Sequence, residues 1–286
     1  MSGQVLILGA SGMSGRASVA KFEEAGWRVK TYDRARDDMA KAARGCDVIV
    51  NAMNPQNYHD WANAIPRMTD EVLAAAKASG ATIILPGNVY HFGDQGGIWS
   101  ERTVPNPVCK KGEIRLAMEE TYRKSGVQTV ILRAGNFIDP VGKRCVLSLL
   151  YLRKLQKARI VLPGPASTRQ AMCFIDDWAR VAVALAELRG TLSQFEDIPM
   201  PGQTMTALDL RRQLQMIIGQ SLQFEPFPWW LLRLASPVWE FAREMNEMQY
   251  LYQTDHSLSG CRLATLLPDF QPTPMEAVLK QVVSTL

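Results

Sequence analysis

The chain turns sharply at residue 9. Val5-Leu-Ile-Leu8 is an apolar run that stops in Gly9-Ala-Ser-Gly-Met-Ser-Gly15, with glycines at 9, 12 and 15, and a helical pattern follows at once. The run is too short for a buried helix and suits a central parallel strand covered on both faces. A strand, a glycine turn and a helix in that order restrict the N-terminal part to an α/β fold. Gly9 suits a tight turn, Gly12 leaves room for a pyrophosphate, and Gly15 lets the helix pack closely on its strand. Ser14 and its neighbours open that helix, so free N–H groups and the positive end of the helix dipole face the phosphates. The segment predicts a dinucleotide site, with Ser11, Met13 and Ser14 beside the three glycines.

A second strand, Trp27 to Tyr32, ends in Asp33 and Arg34, about twenty residues past the loop, where a ribose-reading residue is expected. The two residues argue in opposite directions. Asp33 suits the 2′ and 3′ hydroxyls of NAD, whereas Arg34, Arg36 or Arg16 suits the 2′-phosphate of NADP. A solvated strand end is the plain alternative, and the cofactor expectation is NAD or NADP.

Strand and helix patterns alternate through the first half, as a doubly wound parallel sheet requires. The expected strands are Val5–Leu8, Arg28–Tyr32, Asp47–Asn51, Thr82–Pro86 and Gln128–Arg133; helices are expected near Gly15–Ala25, Pro66–Ser79 and Lys111–Ser125. Pro66 near a helix start and Gly80 just past its end are good boundary signals. After Arg133 the alternation weakens. The architecture implied is a Rossmann sheet, residues 1–136 plus about 171–200, with a smaller, mostly helical substrate part, about 137–170 and 201–286. At 47% hydrophobic residues, a chain of 286 can bury a core of that size.

A net charge of +4 without a basic block gives nucleic-acid binding little support. Five scattered cysteines, at 46, 109, 145, 173 and 261, lack metal-ligand spacing and read as buried thiols in a reducing compartment. The first strand begins within a few residues of Met1, and no apolar stretch reaches about eighteen residues. The expectation is a cytoplasmic protein that binds a small molecule, with no membrane partner.

Five segments in order resemble the extended short-chain dehydrogenase/reductase family, the group of the NAD-dependent epimerases and dehydratases. Gly9 to Gly15 is similar to its cofactor loop, and Cys46-Asp-Val-Ile-Val-Asn-Ala52 to the strand whose end lines the adenine and ribose side. Asn88-Val-Tyr-His-Phe-Gly93 resembles its Val-Tyr-Gly segment, Leu132-Arg-Ala-Gly-Asn-Phe-Ile-Asp-Pro140 its segment beside the nicotinamide, and Phe174-Ile-Asp-Asp-Trp-Ala-Arg180 the one after the substrate loop. The resemblance implies cofactor contacts at Asn51, Ala52 and Met53, a ribose hydrogen bond from Lys111, and a role for Asn136 near the nicotinamide. Leu162-Pro-Gly-Pro165 resembles the substrate loop, which makes Arg169 a candidate for an anionic group; Arg144, Arg153, Lys154, Lys157 and Arg159 leave open whether a second diphosphate binds.

The departures fall on the catalytic machinery. Pro86 stands where the family keeps a serine or threonine, and Asn106 or Pro107 where it keeps the acid–base tyrosine ahead of the lysine pair Lys110 and Lys111. Tyr90, in the loop after a strand's C-terminal end, is the best local replacement; a tyrosine packed with a satisfied hydroxyl is the alternative. His91 next to it, and Tyr58 and His59 after the third strand, are candidate substrate-pocket residues. Two functions remain open: an NAD(P)-dependent oxidoreductase or epimerase/dehydratase-like enzyme with an unusual proton donor, or a catalytically silent NAD(P)-binding sensor or regulator. The family's four-helix contacts allow a homodimer, though no residue pattern demands one. Trp229, Trp230, Leu231, Leu232, Leu234, Val238, Trp239 and Phe241 predict an apolar helix face, with core or pocket wall as its plainest use.

Overall fold

A computed structural model describes residues 3–55, 58–142 and 145–285; Arg144 lies outside them. The N-terminal part runs β1 (Gln4–Leu8), α1 (Met13–Glu24), β2 (Arg28–Tyr32), α2 (Met39–Ala42), β3 (Val48–Asn51), α3 (Trp61–Ser79) and β4 (Thr82–Gly87). Next come β5 (Gly97–Trp99), α4 (Lys110–Lys124), β6 (Thr129–Arg133), β7 (Asn136–Ile138), β8 (Arg159–Leu162), β9 (Met172–Phe174), α5 (Ile175–Glu187) and β10 (Phe195–Pro199). The chain closes with α6 (Ala207–Ile218), β11 (Gln223–Pro226), α7 (Trp229–Ala235), α8 (Glu240–Glu247), β12 (His256–Leu258), α9 (Cys261–Leu266) and α10 (Met275–Thr285).

Six strands form one parallel sheet in the order β10-β6-β4-β3-β1-β2. Alternation of side chains sends successive residues to opposite faces. Val5, Ile7, Val48, Val50, Ile84, Val130 and Leu132 therefore pack with Ala17, Phe22, Trp178, Val181 and Leu185 of α1 and α5. Leu6, Leu8, Ile49, Ile83, Leu85 and Ile131 pack on the other face with Ile65, Val72, Met118 and Tyr122 of α3 and α4. Because both faces are covered, β1, β3 and β6 carry almost nothing but apolar side chains. Connections diverge between β1 and β3, which opens a crevice beyond their carboxyl ends where doubly wound sheets bind ligands. A separate cluster, with Leu150, Ile160, Leu210, Leu214, Val278 and Val282, supports the C-terminal elements. Among the described residues no helix is long and apolar enough to cross a membrane.

Two expectations are corrected. Helix α3 begins at Trp61, so Pro66 lies inside it rather than at its start. The proline removes one backbone N–H bond, while Trp61 and Ile65, both buried in the core, hold the preceding turn in place. The aromatic segment is two helices with a break between them, and Trp230, Leu231, Leu234, Val238 and Trp239 are exposed rather than walling a core. Cys261 is likewise exposed; the other four thiols are buried and free.

The C-terminal ends of the strands are tied together by Arg133, which is fully buried. Its guanidinium donates to Glu119 on α4 (3.0 and 2.7 Å), to Asp197 on β10 (3.0 and 2.7 Å) and to the Asn88 carbonyl after β4. Burial opposes the charge, but the two carboxylates outweigh it and raise the arginine pKa. Arg133→Met leaves both carboxylates without their cation, so a loss of about 3–5 kcal/mol of stability is expected, read as a lower urea midpoint with an unchanged m-value.

Candidate active site

At the end of β1 the backbone needs its glycines for different reasons. Gly9 has φ +76°, and a Cβ there would sit 2.9 Å from the Ala52 carbonyl oxygen; a Cβ on Gly15 would overlap the Gly9 carbonyl. Gly12 is different. Its φ of −76° suits any residue, and a Cβ would meet only the Gly9 oxygen, at 3.3 Å. A side chain at 12 needs the Gly9 carbonyl to give by a few tenths of an ångström, a smaller adjustment than the overlap at Gly15 demands. What its missing side chain clears is the exposed space over the start of α1, where the first-turn N–H groups of Met13 and Ser14 have no carbonyl one turn back. A cradle of this shape, with a helix N-terminus behind it, fits a dinucleotide pyrophosphate. Ser11 is exposed at its rim and Met13 half-buried.

The ribose side is acidic. Asp33 is exposed beyond β2, its carboxylate accepting from Ala35 N–H (3.0 Å), while its own N–H donates to Asp37 (2.7 Å); Asp38 caps α2. Arg36 lies 3.5 Å from Asp33, both well exposed, and Arg34 is exposed. Asn51 is buried and donates to the Tyr122 hydroxyl (3.1 Å) while accepting from Met53 N–H (3.3 Å), so it braces the turn through Ala52 and Met53 against α4.

Across the crevice, the loop after β3 and the turn after β4 meet. Tyr58 and Asp60 take left-handed backbone conformations (φ 62° and 49°), which non-glycine residues adopt only when the surroundings hold them there. Here the Tyr58 ring packs on Trp61 (centroids 5.2 Å), which faces Tyr90 (6.4 Å), and the two phenol oxygens approach to 3.5 Å. The Lys111 ammonium lies 5.1 Å from the centre of the Tyr58 ring. Tyr90 is held from its backbone: its N–H donates to Asn88 (3.1 Å) and its carbonyl accepts from the Tyr250 hydroxyl (3.1 Å). Its neighbour Tyr90 and burial raise the Tyr58 phenol well above its ordinary pKa, so Tyr58 is a hydrogen-bond donor at neutral pH.

The structure brings Tyr58, Tyr90 and Lys111 together, as the sequence suggests, but places other candidates elsewhere. His91, expected at the substrate, is buried beside Arg133 (3.4 Å) and Glu119 (3.9 Å) and stacks on Phe92. Burial first, then the guanidinium, pushes its pKa down to about 3, so it remains neutral. Arg169 donates from Nε and Nη2 to one oxygen of Asp255 (2.9 and 2.7 Å), and the other oxygen accepts the Arg169 N–H (3.0 Å). His59 pairs with Glu240 (3.0 Å), which raises its pKa. Asn136 opens β7, its N–H bonded to the Ala171 carbonyl (3.0 Å). Pro86 pairs with Leu132 in the sheet, and Asn106 and Pro107 are packed against the Tyr90–Gly93 turn.

Sequence reasoning missed Arg115, Glu244 and Glu247. Arg115 is on the same face of α4 as Lys111, one turn on; it covers the Trp61 ring (4.7 Å) and donates to Asn54 (2.7 Å). Glu244 and Glu247 of α8 both pair with the Lys111 ammonium, and Glu247 also accepts the Lys111 N–H (3.3 Å). Four-residue spacing marks the first, and an acidic stripe at 240, 244 and 247 was the signal for the others.

The chain belongs to the NAD dependent epimerase/dehydratase family, whose model matches residues 5–194. No curated protein matches the sequence. Solved structures share the fold end to end. UDP-glucuronic acid 4-epimerase from Bacillus cereus, in complex with UDP-glucuronic acid and NAD, has a TM-score of 0.77 at 15% identity, covering 99% of this chain and 98% of its own. MoeE5 in complex with UDP-glucuronic acid and NAD gives 0.77 at 13%, over 98% of both chains. WbmH from Bordetella bronchiseptica, in complex with NAD+, gives 0.75 at 14%, over 100% and 98%. At these identities the likeness is one of fold.

The depressed His91 pKa makes a stability prediction. Unfolded, His91 takes a proton near its ordinary pKa of 6.5; folded, it does so only near 3, so its contribution is present above pH 6.5 and lost as pH falls towards 3. Buried His256 is shifted in the same direction. His91→Gln is expected to flatten the fall of stability between pH 6.5 and 4 by up to about 1.4 kcal/mol per pH unit, measured by urea titration at a series of pH values.

Proposed function

We propose that the protein is an NAD-dependent enzyme of the epimerase/dehydratase type acting on a small hydroxyl or carbonyl substrate. The observation that carries this reading is the pairing of the glycine cradle on β1 and α1 with Tyr58, Tyr90 and Lys111 across one crevice. A nicotinamide supplies hydride acceptance and return when bound there. The first-turn N–H groups of α1 hold the pyrophosphate, and Asp33 accepts from the adenosine ribose hydroxyls. Lys111 is placed for the other ribose, a job that survives loss of the family's tyrosine. Tyr90 stands at the strand's carboxyl end and exchanges the proton of the reacting oxygen, with Tyr58 as its hydrogen-bonding neighbour.

Asp33, exposed at the end of β2, supports NAD over NADP as an acceptor for the ribose hydroxyls. Several cations on the substrate side are already engaged: Arg169 by Asp255, Lys154 and Arg159 by Glu225, and Arg153 over the Phe227 ring. That supports a substrate without a second nucleotide diphosphate. Four buried free thiols support a reducing compartment, the cytoplasm.

Calorimetry with NAD+ and NADP+, followed by a screen for NADH formation at 340 nm, tests the reading. NAD+ binding is expected to be tighter, and Asp33→Asn to narrow the gap about tenfold, the loss of one charge-assisted hydrogen bond. Gly12→Asp is expected to abolish NAD+ binding at unchanged melting temperature, because the backbone tolerates the side chain and the pyrophosphate does not. Tyr90→Phe is expected to lower kcat about 10²–10⁴-fold with NAD+ affinity unchanged. Binding without turnover on any hydroxyl substrate would replace the enzyme by a silent sensor.

A further inference from the structure

Helices α7 and α8 form a hairpin with little hold on the core. Within them only Trp229 and Ala242 are buried. The anchors lie at the two ends: the Trp229 indole donates to the Pro163 carbonyl (2.8 Å), and Met248, Leu251 and Tyr252 are buried beyond α8. Between these ends Leu232 and Met245 are only partly buried against the C-terminal cluster, and Trp230, Leu231, Leu234, Val238 and Trp239 face solvent, Val238 at 91% exposure.

Its polar side faces the crevice. Glu240, Glu244 and Glu247 share one face of α8 by their spacing, and two of them reach the lysine of the site. Glu240 takes His59, and Glu244 and Glu247 both take the Lys111 ammonium. Glu247 also accepts the Lys111 N–H, and Arg243 lies 3.6 Å from Glu244. The Lys111 side chain is left only 2% exposed. A ribose hydroxyl must come within about 3 Å of that ammonium to bond to it, and the two carboxylates occupy that approach.

We propose that the α7–α8 hairpin is a lid latched onto Lys111 by Glu244 and Glu247, and that it lifts before the ribose of a dinucleotide reaches Lys111. The cofactor half of this statement rests on the proposed function; the latch itself rests on the contacts of α8. A latched lid lowers apparent NAD+ affinity by the fraction of molecules that are open, and a bound dinucleotide holds it up.

The test uses the full chain and the Glu244→Gln/Glu247→Gln double variant, with Lys111→Met as a second way to cut the latch. Amide hydrogen exchange without ligand is expected to quicken at least tenfold across 229–247 in both variants and to stay as in the wild type in β1, β3 and β6. NAD+ affinity of the double variant is expected to rise about tenfold. Unchanged exchange across 229–247 in both variants overturns the latch, whatever NAD+ does. Quickened exchange with unchanged or weaker NAD+ affinity overturns the claim that the latch competes with the cofactor. Quickened exchange with no NAD+ binding to either protein keeps the latch and overturns the cofactor reading.

Discussion

A single guanidinium organises the carboxyl edge of the sheet. Arg133 ends β6, and its donors divide among Glu119 of α4, Asp197 of β10 and the Asn88 carbonyl that leads into Tyr90. Three elements that share no local sequence are thereby fixed to one another at zero exposure, where every donor must find an acceptor. α4 carries Lys111 and Arg115 from that anchor, and the turn after β4 carries Tyr90. The relative placement of lysine and phenol is thus a consequence of a buried ion network two turns along the helix.

The same network explains why His91 is not in the substrate pocket, where its position beside Tyr90 suggested it. It lies beneath Tyr90, against a cation, in a place where protonation is disfavoured twice. Tyr90, next in the chain, points the other way and meets Tyr58. Two adjacent residues are sorted into core and crevice by one short helical turn.

Much of the charge on the substrate side is paired internally. Arg169 has Asp255, Lys154 and Arg159 share Glu225, and Lys111 has two carboxylates. The crevice walls are aromatic instead, through Tyr58, Trp61 and Tyr90. The sheet beneath these walls has the same form as in the UDP-glucuronic acid 4-epimerase structure.

The sequence by itself determined the nucleotide-binding half. Local rules suffice there: Gly9 needs a positive φ, Gly15 needs contact with the preceding turn, and residues 5 to 8 alternate between two apolar faces. The two tyrosines of the crevice were legible too, since each follows a strand end, and the lysine through the family resemblance. What only the tertiary structure decided are the partners drawn from distant sequence. Glu244 and Glu247 lie more than 130 residues from Lys111, and no periodicity in either segment reveals that they meet. The exposed aromatic hairpin was misjudged for the same reason, because its composition reports affinity for an apolar surface and not whether the fold supplies one. Long-range electrostatic pairing is set by how the layers close, and that is a property of the packed chain.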